Sequence, residues 1–179
     1  MDKEMAKKAI EGDEEAFLEL MRLHKAALYK TALSYLRNEQ DAIEAVQEVT
    51  FRVYTKISAV RNPAYLKTWM IRIMINYCND ALKRRKRFWA NPKLLEALPS
   101  PGNFRNIEIL DALDILDEKE RELIILKYFH DIKLKDIACM LNKPEGTIKT
   151  RLHKTIKKLR AHISEQEEDG LDGKRRNKA

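Results

Sequence analysis

Glycine and proline are scarce in this chain, at five each among 179 residues. A sandwich or barrel of many short strands needs a turn former every few residues, so the shortage argues against both. Cysteine is scarcer still, with only Cys78 and Cys139. Neither shows metal-ligand spacing or a nucleophile arrangement, and both read as small core hydrophobes in a reducing compartment. The four histidines, His24, His130, His153 and His162, form no paired motif. A membrane span needs roughly 18 consecutive apolar residues, and no run here reaches that length. The first residues are rich in Asp, Lys and Glu, which excludes a signal peptide, so a cytoplasmic location is expected. No phosphate-binding glycine loop and no paired carboxylates with a base are found. The chain is therefore read as a non-enzyme with no cofactor and no metal site.

What the chain does have is Leu, Ile, Ala, Lys and Glu in helical patterns, which predicts an all-α fold. The length suits one medium domain or two small ones. Charge is unevenly placed. Residues 1–48 carry 7 basic and 11 acidic side chains, residues 61–90 carry 8 and 1, and residues 133–160 carry 9 and 2. Two positive regions and one acidic region suggest two nucleic-acid contacts and a different partner for the acidic part.

A short helix is expected over 2–10, broken at Gly12, with Asp13 as the cap of a second helix reaching residue 37. His24 lies on that helix's apolar stripe and reads as a satisfied, partly buried residue rather than a ligand. After a break at Asn38 a third helix runs over about 39–56. Ile43, Val46, Val49, Val53 and Ile57 supply its buried side. Asp41, Glu44, Gln47 and Glu48 line its polar edge, which suits either a basic protein partner or simple solvation. Pro63 opens a fourth helix to about 87, with Asn62 as a possible cap. Its apolar residues lie on more than one side, so it is expected to be the central helix of its domain. It ends in Lys83-Arg84-Arg85-Lys86-Arg87, then Phe88-Trp89. Such a run is tolerated because water solvates it or because it meets phosphate. Trp69 suits core packing better than base stacking, and Trp89 is open to either.

Residues 90–105 hold three of the five prolines and read as a flexible linker, although Leu94, Leu95 and Leu98 argue that it is not inert. Helices follow over about 106–116, 117–129, 133–140 and 144–160, with breaks at His130-Asp131-Ile132 and Asn142-Lys143-Pro144. A short helix, a tight turn and a basic helix make a helix-turn-helix. In the last helix Ile148, Leu152, Ile156 and Leu159 form the apolar back. Gly146, Lys149, Thr150, His153 and Lys157 form the front, which suits a DNA major groove or, more plainly, a solvated basic face. Residues 164–179 are expected to be a disordered tail. The domains are thus 1–89 and 106–163.

Four stretches together resemble the sigma-70 family of bacterial RNA polymerase sigma factors, in its extracytoplasmic-function (ECF) group. They are DAIEAVQEVTF (41–51), RNPAYLKTWMIR (61–72), NYCNDALKRRKR (76–87), and LDEKER (116–121) running into EGTIKTRLHK (145–154). The resemblance spans about residues 13–162. It implies that the first domain is region 2 and the second region 4. By resemblance, Asp41, Glu44, Gln47 and Glu48 dock on core RNA polymerase. Asn76 and Asp80 lie near the pocket for a flipped base of the −10 element, and Lys83, Arg84, Arg85 and Arg87 serve the DNA there. Glu145, Gly146, Lys149, Thr150, Arg151, His153 and Lys154 form the −35 surface. The resemblance also implies an anti-sigma factor, often membrane-anchored, that holds the protein inactive until a stress signal. The residues alone leave a stand-alone dimeric helix-turn-helix regulator as the other reading. Glu44 stands where the family usually has Asp, Ile43 replaces a common acidic residue, and Lys143-Pro144 replaces the frequent Ile-Ser. These changes bear on promoter sequence, not on class.

Overall fold

The computed structural model describes residues 3–89 and 112–176, with side chains described over 3–87 and 112–164. The linker and residues 106–111 of the helix expected over 106–116 lie outside these residues, as do the side chains of Phe88 and Trp89; the rest of that helix includes a 3-10 turn at Leu113–Ile115. All regular elements among the described residues are helical. The chain divides into two compact units, 1–105 and 106–179.

In the first unit α1 (Lys3–Ile10) ends at Gly12, whose φ of +99° is a backbone conformation that favours glycine. Helix α2 (Glu14–Leu36) starts where expected: the Asp13 carboxylate accepts a hydrogen bond from the Ala16 N–H at 2.9 Å. It stops at Arg37, which is left-handed. Asn38 then caps α3 (Glu39–Lys56) by accepting from the Asp41 N–H at 3.0 Å. Asn62 caps a single 3-10 turn at Pro63–Tyr65, and α4 runs on over Leu66–Trp89. Helix α2 packs on α1, α3 and α4, while α4 packs on α2, α3 and the 3-10 turn. The hub is therefore α2, not α4 alone. Leu20, Leu28, Leu66, Met70, Ile71, Met74 and Ile75 are fully buried at this meeting. Burying such a side chain contributes roughly 1.5–3 kcal/mol each.

Two expectations on α3 and α4 need correcting. Ile43 is 44% exposed, because the buried arc is centred on Ala42, Ala45, Val46, Val49 and Val53 and the next residue turns outward. Trp69 is half-buried rather than a full core residue. Cys78 is buried as expected, its S–H 3.8 Å from the Met74 sulfur, and burial pushes its thiol up to about 12. Cys139 is exposed instead.

In the second unit the helix expected over 117–129 is interrupted. Helix α5 (Glu118–Ile124) opens with a capping box: Asp117 accepts from the Lys119 and Glu120 N–H groups, and Glu120 accepts from the Asp117 N–H. It gives way to a π-helical turn at Ile125–Phe129, where the His130 N–H donates to the Ile125 carbonyl. Leu123, Ile124, Ile125 and Leu126 are all buried. Leu123 and Ile124 close α5, and Ile125 and Leu126 open the wider turn. Tyr128 and Phe129 then face solvent.

Helix α6 (Leu134–Leu141) ends at Asn142, left-handed at φ 49°, and the Lys143 N–H closes the turn on the Ala138 carbonyl at 3.0 Å. Pro144 lies just before α7 (Glu145–Arg176), accepting from Thr147 and Ile148. The helix continues to Arg176 where the sequence suggests a disordered tail from Ser164. The stretch SEQEED holds no helix breaker before Gly170. On α7 the back is Ile148, Leu152 and Thr155, with Ile156 and Leu159 only half-buried. Thr155 is fully buried because its hydroxyl donates to the Arg151 carbonyl at 3.0 Å.

His24 is buried on α2, but its Nε2 has no hydrogen-bond partner, so it is not the satisfied histidine expected. Burial first, then the Lys67 charge, holds its pKa below the ordinary histidine value. The unfolded chain takes up this proton before the folded one does. Stability is therefore greatest above about pH 6.5 and declines as pH falls through that value toward the folded pKa. Thermal melts between pH 7.5 and 5.5 are expected to show this decline in the wild type. In His24→Leu the slope is expected to be smaller; an unchanged slope would show that His24 does not carry it.

Candidate protein-docking and nucleic-acid surfaces

The acidic edge of α3 does not stand alone. Glu48 accepts from the Arg52 guanidinium at 2.8 Å, and Arg52 lies 5.1 Å from the centre of the Tyr77 ring on α4. Arg84, one α4 turn beyond Ala81, lies 5.9 Å from the same ring. Arg85 approaches Asp41 at 4.0 Å. Tyr77 is buried, and the Arg52 and Arg84 guanidiniums both lie within cation–π distance of its ring. Burial, and next the Glu44 carboxylate, push its hydroxyl above the ordinary tyrosine range, with Arg84 acting the other way. A groove of about 460 Å3 runs over Glu44, Gln47, Glu48, Arg52, Tyr77 and Arg84. A neighbouring one of about 210 Å3 joins Asp41 to Leu82 and Arg85. All four residues expected to dock a protein thus line one surface, and two of those expected on DNA share it. Each ion pair here is at least a third exposed and contributes at most about 1 kcal/mol. Sequence reasoning missed Tyr77 and Arg52, because their role comes from a meeting of two helices.

The other four residues of the α4 set separate cleanly. Asn76, Asp80, Lys83 and Arg87 are spaced four, three and four apart and all are exposed. This spacing puts them on one helical face, away from the buried side of α4.

In the second unit every residue of the expected α7 set lies in its first three turns. Glu145, Gly146, Lys149, Thr150, His153 and Lys154 are exposed and Arg151 is half-buried. Lys149 pairs with Glu145 at 3.0 Å, and the Thr150 hydroxyl donates to the Gly146 carbonyl at 2.9 Å. One flank forms a groove of about 500 Å3 with Asp117, Glu120, Thr147, Thr150, Arg151 and Lys154. Thr147 was missed, although its place beside Gly146 in the first turn was a readable signal. Lys158 donates to Glu120 at 2.9 Å and so ties α7 to the capped start of α5. Arg121 donates to the Leu113 carbonyl and to Asp114, holding the preceding turn. Among the described residues no group of three or more His, Cys, Asp or Glu could hold a metal, and no helix is long and apolar enough to cross a membrane.

With this geometry in place, comparison with known proteins is decisive. Residues 20–88 match Sigma-70 region 2, and residues 106–159 match Sigma-70 region 4. The chain is 30% identical over 147 residues to the RNA polymerase sigma factor SigV of Bacillus subtilis, covering 80% of this chain and 89% of the relative. The chain belongs to the sigma-70 family, in its ECF group. A second relative, the ECF RNA polymerase sigma factor SigW of Bacillus subtilis, is 28% identical over 91% of this chain and 97% of its own length. Among solved structures, CnrH in complex with the cytosolic domain of CnrY has a TM-score of 0.70 at 24% identity, over 91% of this chain and 97% of that one. RpoE of Bartonella quintana in complex with the anti-sigma factor NepR has a TM-score of 0.66 at 22% identity, over 83% and 96%. Both share the fold.

Gly146 of this sigma factor has no strained φ, and a Cβ there would meet nothing within 4 Å. The free protein therefore has no use for the glycine, which lowers helix propensity against alanine in the first turn of α7. Gly146→Ala is expected to raise the melting temperature of the free chain while weakening binding to a −35 duplex. Unchanged duplex affinity would show that the backbone does not approach DNA at this point.

Proposed function

We propose that this sigma factor docks on core RNA polymerase through the α3 edge, opens the −10 element on α4 and reads the −35 element as duplex with α7. What carries the reading is the presence in one chain of a carboxylate-edged helix, a separate polar and cationic helix face and a helix-turn-helix with a cationic front. Asp41, Glu44, Gln47 and Glu48 meet the polymerase. Asn76 and Asp80 offer amide and carboxylate hydrogen bonds to a base that leaves the stack, and Lys83 and Arg87 attract the backbone beside it. Unpairing and flipping cost a few kcal/mol, which these contacts offset. On α7, Lys149, Thr150 and His153 face base edges in the major groove, while Arg151 and Lys154 hold phosphate. Phosphate contacts position the protein and base contacts give specificity.

The work is binding, not catalysis, and it takes place in the cytoplasm, where polymerase and promoters are. An anti-sigma factor, as NepR is for the fold relative RpoE, holds the free factor inactive by covering these same surfaces. Release follows a stress signal.

Runoff transcription with core polymerase on a promoter library tests the reading. The chain is expected to create start sites that share a −35 and −10 pair and are absent with core alone. Binding of a palindromic duplex by a dimer, with no effect on core, would establish a stand-alone regulator instead. Lys149→Ala is expected to reduce transcription about tenfold or more from promoters with an intact −35 element, the loss of one good base contact. Its affinity for core is expected to stay unchanged; a parallel loss of core binding would overturn the role given to Lys149.

A further inference from the structure

The basic run at the end of α4 is one feature in the sequence and two in the structure. Successive helical residues turn by about 100°. Lys83 and Arg87 therefore continue the exposed face begun by Asn76 and Asp80, while Arg84 returns to the Tyr77 side and Arg85 to the flank beside α3. The contacts agree: Arg84 lies over Tyr77 at 5.9 Å, and Arg85 is 4.0 Å from Asp41. The grooves along this flank are lined by three carboxylates (Asp41, Glu44, Glu48) and three guanidiniums (Arg52, Arg84, Arg85).

We propose that Arg84 and Arg85 belong to the protein-docking surface of α3 and not to the DNA face of α4, with Tyr77 as the ring that holds Arg84 there. The inference rests on the polymerase-docking reading above and extends that surface across to a second helix. Charge is the argument. A phosphate backbone entering this groove would bring negative charge against Asp41, Glu44 and Glu48, an unfavourable approach. A polypeptide surface that presents both a basic and an acidic side chain matches the groove, because each finds an opposite partner within one helical turn. Arg84 and Arg85 then donate to the partner's carboxylate, in the fork geometry that guanidiniums favour. Glu44 and Glu48 take its cation. Tyr77 is a positioning residue: its ring lies within cation–π distance of both Arg52 and Arg84 and so helps set where both guanidiniums stand relative to Glu48.

The test compares two double variants that remove the same charge from the same helix end, Arg84→Gln/Arg85→Gln and Lys83→Gln/Arg87→Gln, in the full chain. Two quantities are read: affinity for core polymerase, and permanganate reactivity of −10 thymines with the factor at saturation. The first variant is expected to bind core about tenfold more weakly, the scale of a lost interface charge pair, and to melt the promoter normally once saturated. The second is expected to bind core normally and to melt the promoter poorly. Arg84→Lys/Arg85→Lys, which keeps the charges, is expected to recover part of the core affinity. Equal melting defects in the two glutamine variants, with core affinity unchanged in both, would overturn the assignment. A photoreactive side chain at position 85 or at position 87 in the assembled promoter complex provides a readout independent of stability. Position 85 is expected to crosslink to polymerase and position 87 to DNA, and the reverse pattern would overturn the proposal. A wild-type chain that does not bind core at all would instead refute the docking reading, and this extension of it.

Discussion

Burial of the apolar arcs of α2, α3 and α4 on one another is the constraint that the rest of the first unit obeys. Once Leu20 and Leu28, Val49 and Val53, and Met70 and Met74 are sealed away from water, each helix has only its remaining arc for anything else. On α3 that arc carries the carboxylates. On α4 it divides into a fully exposed face and a flank that looks back at α3. The candidate surfaces lie on what packing leaves over, and the rotation of α4 about its axis turns Lys83 and Arg87 to the exposed face and Arg84 and Arg85 toward Tyr77 and α3. The second unit follows the same logic with fewer residues. Ile148, Leu152 and Thr155 seat α7 against α6 and the residues before it, and that seating presents Lys149, Thr150 and His153 outward.

Most of the helices were legible in the sequence because their boundaries carry local signals. Asp13 and Asn62 cap as read, and Gly12, Asn38 and Asn142 fall at breaks as read, with Asn38 also capping α3. The all-α class and the helix-turn-helix follow from periodicity alone. The π-helical turn at Ile125–Phe129 was not legible, since a local change of pitch leaves no mark in periodicity. Ile43 and Cys139 were misjudged for a related reason. Hydrophobicity says that a residue can be buried, and only the partner helices say whether it is.

The candidate surfaces were legible to a similar degree. Three stretches of charge and polar residues could be found by composition, and the family resemblance gave each a role. What the sequence does not carry is adjacency. Tyr77 sits in a stretch read mainly for Asn76 and Asp80, yet its ring is where two guanidiniums from different helices meet. Thr155, a polar residue at a fully buried position, is equally invisible until its hydroxyl is seen to return to the helix backbone.

The balanced charge of the α3–α4 groove has a consequence for how the protein responds to ionic strength. Binding to DNA releases counterions condensed on the phosphates, so affinity falls steeply as salt rises. A groove lined by carboxylates and guanidiniums in equal number holds no comparable ion atmosphere, and its pairing with a mixed-charge partner acts at short range, where salt screens much less. The two kinds of contact made by one small protein therefore stand on different slopes. If the groove seats a protein as proposed, raising the salt is expected to strip promoter DNA from the factor well before it strips the factor from that protein.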